Sequence, residues 1–127
     1  MISVPPEIQD KIVQFEQLRK QLQVVTAQRM QLEGERDEVK DTLKVLEETK
    51  DDTTIYKSSG NLLMKVDDKN KLIEELKDQL ETLELRVKTM KSQEERIKER
   101  FDAIQKEISE AITMLQAQQG MGGFKTQ

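Results

Sequence analysis

The sequence predicts a mainly α fold: a long antiparallel coiled-coil helical hairpin with a single β-hairpin at its centre. Three observations predict it. Apolar residues recur with a 3.5-residue period on both sides of the midpoint. The one stretch without that period, "TTIYKSSGNLLMKV" at residues 53–66, places β-favouring runs on either side of Ser58-Ser59-Gly60-Asn61. Charges flanking the two apolar seams become complementary only when the chain folds back inside that stretch.

The first helix is expected over about residues 7–50. Both prolines, Pro5 and Pro6, precede it, so nothing from Glu7 onward is barred from helix by proline. With Phe15 at heptad position a, the a and d positions read Ile8, Lys11, Phe15, Leu18, Leu22, Val25, Arg29, Leu32, Arg36, Val39, Leu43 and Leu46. Nine of these twelve are apolar. Gly34 falls at the outward f position, where it weakens the helix by about 1 kcal/mol without touching the seam. Lys11, Arg29 and Arg36 can lay their stems on the seam and carry their charges outward, and Arg29 could also reach Glu94.

The β-hairpin is expected over about residues 53–66. Gly and Asn accept the positive φ of tight hairpin turns. Centred between Ser59 and Gly60, the hairpin would oppose Ile55 to Met64, Tyr56 to Leu63 and Lys57 to Leu62. One face then carries Ile55, Leu62, Met64 and Val66, and the other carries Tyr56 and Leu63. Two strands cannot bury both faces, and their open edges invite further pairing. These six residues therefore read as an assembly element. Asp67 or Asp68 is placed to cap the helix that follows.

The second helix is expected over about residues 68–117, followed by a flexible tail at 118–127. Its seam reads Ile73, Leu76, Leu80, Leu83, Val87, Met90, Glu94, Ile97, Phe101, Ile104, Ile108, Ala111 and Leu115, twelve of thirteen apolar. In one antiparallel register Glu47 faces Lys77, Lys40 faces Glu84 and Glu33 faces Lys91. A slip of one heptad either way brings like charges together. That register sets Leu46 against Ile73, Leu32 against Val87 and Phe15 against Ile104, and its fold-back point lies within the hairpin. The whole of 1–127 thus reads as one domain.

Composition narrows the function. The chain is 36% charged and 3% aromatic, with no Cys, His or Trp. Disulfides and thiolate metal sites are excluded, and nothing supports nucleophilic chemistry by Cys or His. "GMGG" at 120–123 has no helix after it in which to cradle phosphate. The expectation is a non-enzyme without cofactors. A net charge of −4 with interleaved signs argues against nucleic acid. No run of about 18 apolar residues offers a membrane span, and no signal-peptide pattern is visible, so a cytoplasmic location is the default.

With these residues in place, the chain resembles the β-type subunit of prefoldin, of archaeal kind. "DDTTIYKSSGNLLMKV" is similar to the family's Tyr-Lys-x-x-Gly hairpin segment, here Tyr56, Lys57 and Gly60, and "LETLELRVKTMKSQEERIKERFDAIQKEI" is similar to its second helix. The α-type subunits carry a double hairpin and a longer centre, which this chain lacks. The resemblance implies a hexamer of two α and four β subunits whose hairpins join in a β-barrel body. It also implies ATP-independent holding of non-native proteins and their transfer to a group II chaperonin.

A fold-back at the hairpin would bring both chain ends to one tip. Ile2, Val4, Ile8 and Ile12 from one side and Ile112, Met114 and Leu115 from the other make that tip apolar, with Met121 and Phe124 beyond. These are the candidate client-binding residues, although for Ile8, Ile108 and Leu115 closing the seam is the preferred reading. Exposed apolar groups bind apolar segments with little sequence preference, and Met adapts its shape. The competing reading is a structural coiled-coil tether that binds one folded partner.

Overall fold

The computed structural model describes the backbone of residues 4–125 and the side chains of residues 4–118. Four elements follow in order: helix α1 (Pro6–Glu48), strands β1 (Tyr56–Ser59) and β2 (Leu62–Lys65), and helix α2 (Lys69–Lys125). They divide into two compact units, one of Met1–Ala27 with Lys91–Gln127 and one of Gln28–Met90. Among the described residues, no helix is long and apolar enough to cross a membrane.

The helix ends follow from local chemistry. Pro6 opens α1, where its missing N–H costs nothing and its fixed φ suits the first turn. The carbonyl of Pro5 accepts from the amides of Ile8 and Gln9, both at 3.0 Å. Helix α2 is capped by Asp68, whose Oδ1 accepts from the Lys71 amide at 3.1 Å. Its C-terminal end differs from the expectation. The helix passes residue 117 and continues to Lys125, through Gly120, Gly122 and Gly123. Glycine lowers helix propensity without forbidding helical φ and ψ, so a chain already wound can continue through it.

In the unit Gln28–Met90, Leu32, Val39, Leu43, Leu83 and Val87 form a buried cluster. Ile73, Leu76, Leu80 and Met90 pack against it. In the other unit, Ile8 and Leu18 are buried and the rings of Phe15 and Phe101 stack with centroids 4.6 Å apart. Every buried residue of the chain's described part lies on an a or d position of the predicted frames, and no described a or d residue is fully exposed. A 3.5-residue period keeps one stripe of each helix turned toward its partner, so the burial pattern repeats the period.

Cross-helix polar contacts agree with the predicted register, whereas Phe15, expected against Ile104, stacks on Phe101 one layer away. Lys77 Nζ lies 3.7 Å from Glu47 Oε1. Lys11 Nζ lies 3.6 Å from Glu107, beside the residue expected to face it. The Thr26 hydroxyl donates to Glu94 at 2.6 Å, supplying a partner for a carboxylate on the seam. Lys40 and Glu84, the second expected pair, make no ion pair among the described residues, and both are exposed. Exposed pairs contribute only about 0–1 kcal/mol each, so the apolar layers hold the register and the charges refine it. Two cationic seam residues pair with carboxylates of their own helix: Arg29 meets Glu33 at 3.0 Å and Arg36 meets Asp37 at 3.1 Å.

The register of the β-hairpin corrects the expectation. Tyr56 opposes Lys65, Lys57 opposes Met64, Ser58 opposes Leu63 and Ser59 opposes Leu62. The turn is the two residues Gly60 and Asn61, not a longer loop centred before Gly60. Gly60 has φ +58° and is the sole described residue with positive φ. Positive φ at the first turn position alone is the type II′ pattern, whose twist suits the flanking strands. Each residue's expected partner is displaced by one pair, which means two residues. The faces therefore keep the predicted composition, because side chains alternate with a period of two.

Two expectations follow. Gly34 is helical with open space where a Cβ would stand, so Gly34→Ala should raise the unfolding free energy by about 1 kcal/mol in a urea titration. Gly60 also has open space, but its φ penalises any Cβ, so Gly60→Ala should lower stability by about 1–2 kcal/mol. In addition, cysteines at Glu47 and Lys77 in this cysteine-free chain should crosslink within one chain, as read by denaturing electrophoresis. Crosslinks formed only between chains would contradict the fold-back.

Candidate functional site

The hairpin is a surface made almost wholly of exposed side chains. Leu62 and Leu63 are 68% and 73% exposed, and Tyr56 and Met64 are comparably open. Ile55 and Val66 at its base are half-buried, and the Val66 amide donates to the Ile55 carbonyl at 2.9 Å, extending the ladder. One face carries Ile55, Leu62, Met64 and Val66, and the other carries Tyr56 and Leu63. Among the described residues the sheet contains these two strands alone, so each has an outer edge without a neighbour there. Lys57 and Lys65 on the strands, like many edge lysines, discourage indiscriminate pairing.

Beneath the first face, the hairpin and the first turns of α2 enclose a groove of about 350 Å³, lined by Met64, Val66 and Leu72 with Lys57, Lys71 and Glu75 around them. A side chain such as Leu or Met contributes roughly 1.5–3 kcal/mol when it leaves water. Tyr56, Leu62, Leu63 and Met64 stand exposed on the hairpin, so their burial remains unrealised within the described residues. All six residues that the sequence marked for assembly thus occupy one hairpin.

The candidate client-binding residues divide. Ile12 and Ile112 are each 38% exposed, and Val4 and Met114 are also exposed. Ile8 is a correction: it is buried at a seam position, where it packs between the helices and presents nothing to a client. Leu115, also on the seam, is half-buried. Ile2 and the side chains of Met121 and Phe124 lie outside the described residues.

The sequence reading missed two features of the same unit. Val13 is exposed, and Val24 stands at an open groove lined by Lys20, Gln21, Val24, Val25 and Ile97. The signal was present. Val13 and Val24 are apolar at f and c heptad positions, and their spacing of eleven residues is close to three helical turns, so they share one side of α1.

Two heptad helices joined through a β-hairpin that cannot complete its own sheet define a subunit built for assembly with other chains. The comparisons with known proteins agree. The Prefoldin subunit family model matches residues 9–114. The prefoldin subunit beta of Archaeoglobus fulgidus is 37% identical over 113 residues, covering 89% of this chain and 97% of that one. The prefoldin subunit beta of Sulfolobus acidocaldarius is 38% identical over 119 residues, covering 94% of each. The crystal structure of the prefoldin beta subunit from Thermococcus strain KS-1 superposes with a TM-score of 0.78 at 34% identity, over 87% of this chain and 96% of that one. The chain belongs to the prefoldin subunit family, and it is a chaperone-type subunit of an oligomeric assembly.

A charge at the most exposed large apolar residue of the hairpin tests the assembly surface. Leu63→Glu should leave far-UV helicity unchanged and abolish the oligomer mass seen by light scattering, since a shared sheet would have to bury an unpaired carboxylate at a cost of several kcal/mol. An unchanged mass would place the interface elsewhere.

Proposed function

We propose that this chain is a β-type prefoldin subunit that holds non-native proteins without ATP and passes them to a group II chaperonin. Its partners are an α-type subunit and further β copies, in an α2β4 hexamer, and its compartment is the cytoplasm. The observation that carries the holding role is the exposure of Ile12, Ile112 and Met114 outside the heptad seam. Seam residues are occupied by the other helix. These three are not, and neither is Val4, so their apolar surface is available to a segment that has lost its own core.

The magnitudes suit transient holding. At roughly 25 cal/mol per Å², a patch burying about 100 Å² of apolar surface gains about 2.5 kcal/mol, too little for one subunit to retain a client. Several subunits acting on one client add avidity, so holding becomes firm while each contact stays reversible. Met114 adds adaptability, because an unbranched thioether fits many partner shapes. The mixed, net acidic surface of the helices supplies solubility.

The test replaces Ile12, Ile112 and Met114 together with Ser. The seam layers stay intact, so helicity and oligomer mass should match the parent. Suppression of aggregation should fall steeply for several unrelated denatured proteins mixed with the assembled complex. Undiminished protection would locate client binding elsewhere. Protection of a single folded partner, with no effect on denatured proteins, would favour the tether.

A further inference from the structure

The junction between α1 and the hairpin contains a contact that the heptad pattern does not require. Helix α1 ends in Val45-Leu46-Glu47-Glu48, with no basic residue in its last turn. Carboxylates at the negative pole of a helix are unfavourable, and the last carbonyls need donors from elsewhere. Thr49 supplies two of them. Its amide donates to the Leu46 carbonyl at 3.3 Å and its hydroxyl to the Val45 carbonyl at 2.5 Å. The carbonyl of Thr49 itself is then met from the other helix: Lys69 Nζ donates to it at 2.6 Å. The same ammonium lies 3.6 Å from Asp51 Oδ1. The Lys69 side chain is only 18% exposed, whereas Asp51 stands fully in solvent, so the carbonyl is the principal partner.

Lys69 is the first residue of α2, directly after the Asp68 cap. It therefore joins the end of one helix to the start of the other, across the two connections from which the strands emerge. Thr53, whose amide donates to the Lys50 carbonyl at 3.1 Å, and the Val66–Ile55 rung lie within those connections. Lys77, two turns further along α2, reaches the Glu47 side chain at 3.7 Å with both groups more than half exposed. That second lysine neutralises the α1 terminus without touching the connection.

We propose that Lys69 is a positioning residue for assembly: by capping α1 from α2 it fixes the stem of the hairpin in the orientation that presents β1 and β2 to other chains. The proposal rests on the reading of the hairpin as the assembly element. A charge-assisted hydrogen bond to a part-buried carbonyl is stronger than an exposed ion pair, so this contact and not the Lys77 pair sets the stem. Arginine at position 69 can still donate to the carbonyl, whereas methionine keeps the packed stem and loses the donor.

The test compares Lys69→Met, Lys69→Arg and Lys77→Met in the full chain. Amide exchange is read first on the chain alone. Lys69→Met should speed exchange at Thr49, Thr53 and Val66 about tenfold, with the seam amides of Val39 and Leu83 and the far-UV helicity unchanged. Lys69→Arg should restore most of the protection, and Lys77→Met should leave these amides as in the parent. Titration with an α-type prefoldin subunit, followed by native mass, should then need about tenfold more partner for half-assembly with Lys69→Met. Unchanged exchange at the three amides would overturn the cap, and an equal effect of Lys77→Met would reduce it to general charge. Faster exchange with an unchanged assembly midpoint would overturn the positioning role. Failure of the parent itself to assemble would overturn the hairpin reading, and this proposal with it.

Discussion

Apolar side chains repeating along one stripe of each helix can leave water only against each other. That constraint organises the chain. Because the stripe drifts with a 3.5-residue period, Leu32, Val39 and Leu43 on α1 must pack with Leu83 and Val87 on α2, and Phe15 must stack on Phe101. Seam packing then brings Glu47 within reach of Lys77 and the end of α1 within reach of Lys69. The hairpin depends on it as well. Two four-residue strands with exposed faces would be marginal alone, and here they are held at their base by helices that are already paired.

The division of labour along the chain follows from which apolar groups the seam consumes. On the helices, a and d side chains are turned toward the partner helix, and the exposed large apolar residues all lie outside the frame: Ile12, Val13, Val24, Met30, Val45, Leu85, Ile112 and Met114. Among the described residues no third strand joins the hairpin, and almost all of its side chains are exposed. Unsatisfied surface is therefore of two kinds. The hairpin offers strand edges and flat apolar faces, which suit a permanent neighbour of matching geometry. The helices offer scattered apolar groups outside the seam.

Much of this was legible in the sequence, because periodic patterns average over many residues. A single misjudged position does not move a frame of twelve or thirteen seam residues, and the buried set followed it throughout. The faces of the hairpin were legible for a similar reason: alternation survives a register error of one pair. The pairing itself was not, since Ser58-Ser59-Gly60-Asn61 contains more than one plausible turn. Only the backbone decides that Gly60 takes the positive φ and Asn61 completes the turn. Among the site residues, exposure separated Ile12 and Ile112 from Ile8, which the sequence could place on the seam but could not remove from the tip. Val13 and Val24 were visible as apolar letters at outward positions, yet their significance depends on what covers them.

The sequence by itself determined the two helices, the seam that joins them, the single hairpin and its two faces, because each arises from local or periodic pattern. The tertiary structure decided the hairpin pairing, the continuation of α2 past residue 117, and the choice of one lysine among 21 basic residues to close the end of α1. Each of those rests on where one group stands relative to another distant in the chain. Lys69 and Thr49 are twenty residues apart. No pattern along the chain marks that hydrogen bond, since it exists only once the packed seam has brought the two helix ends together.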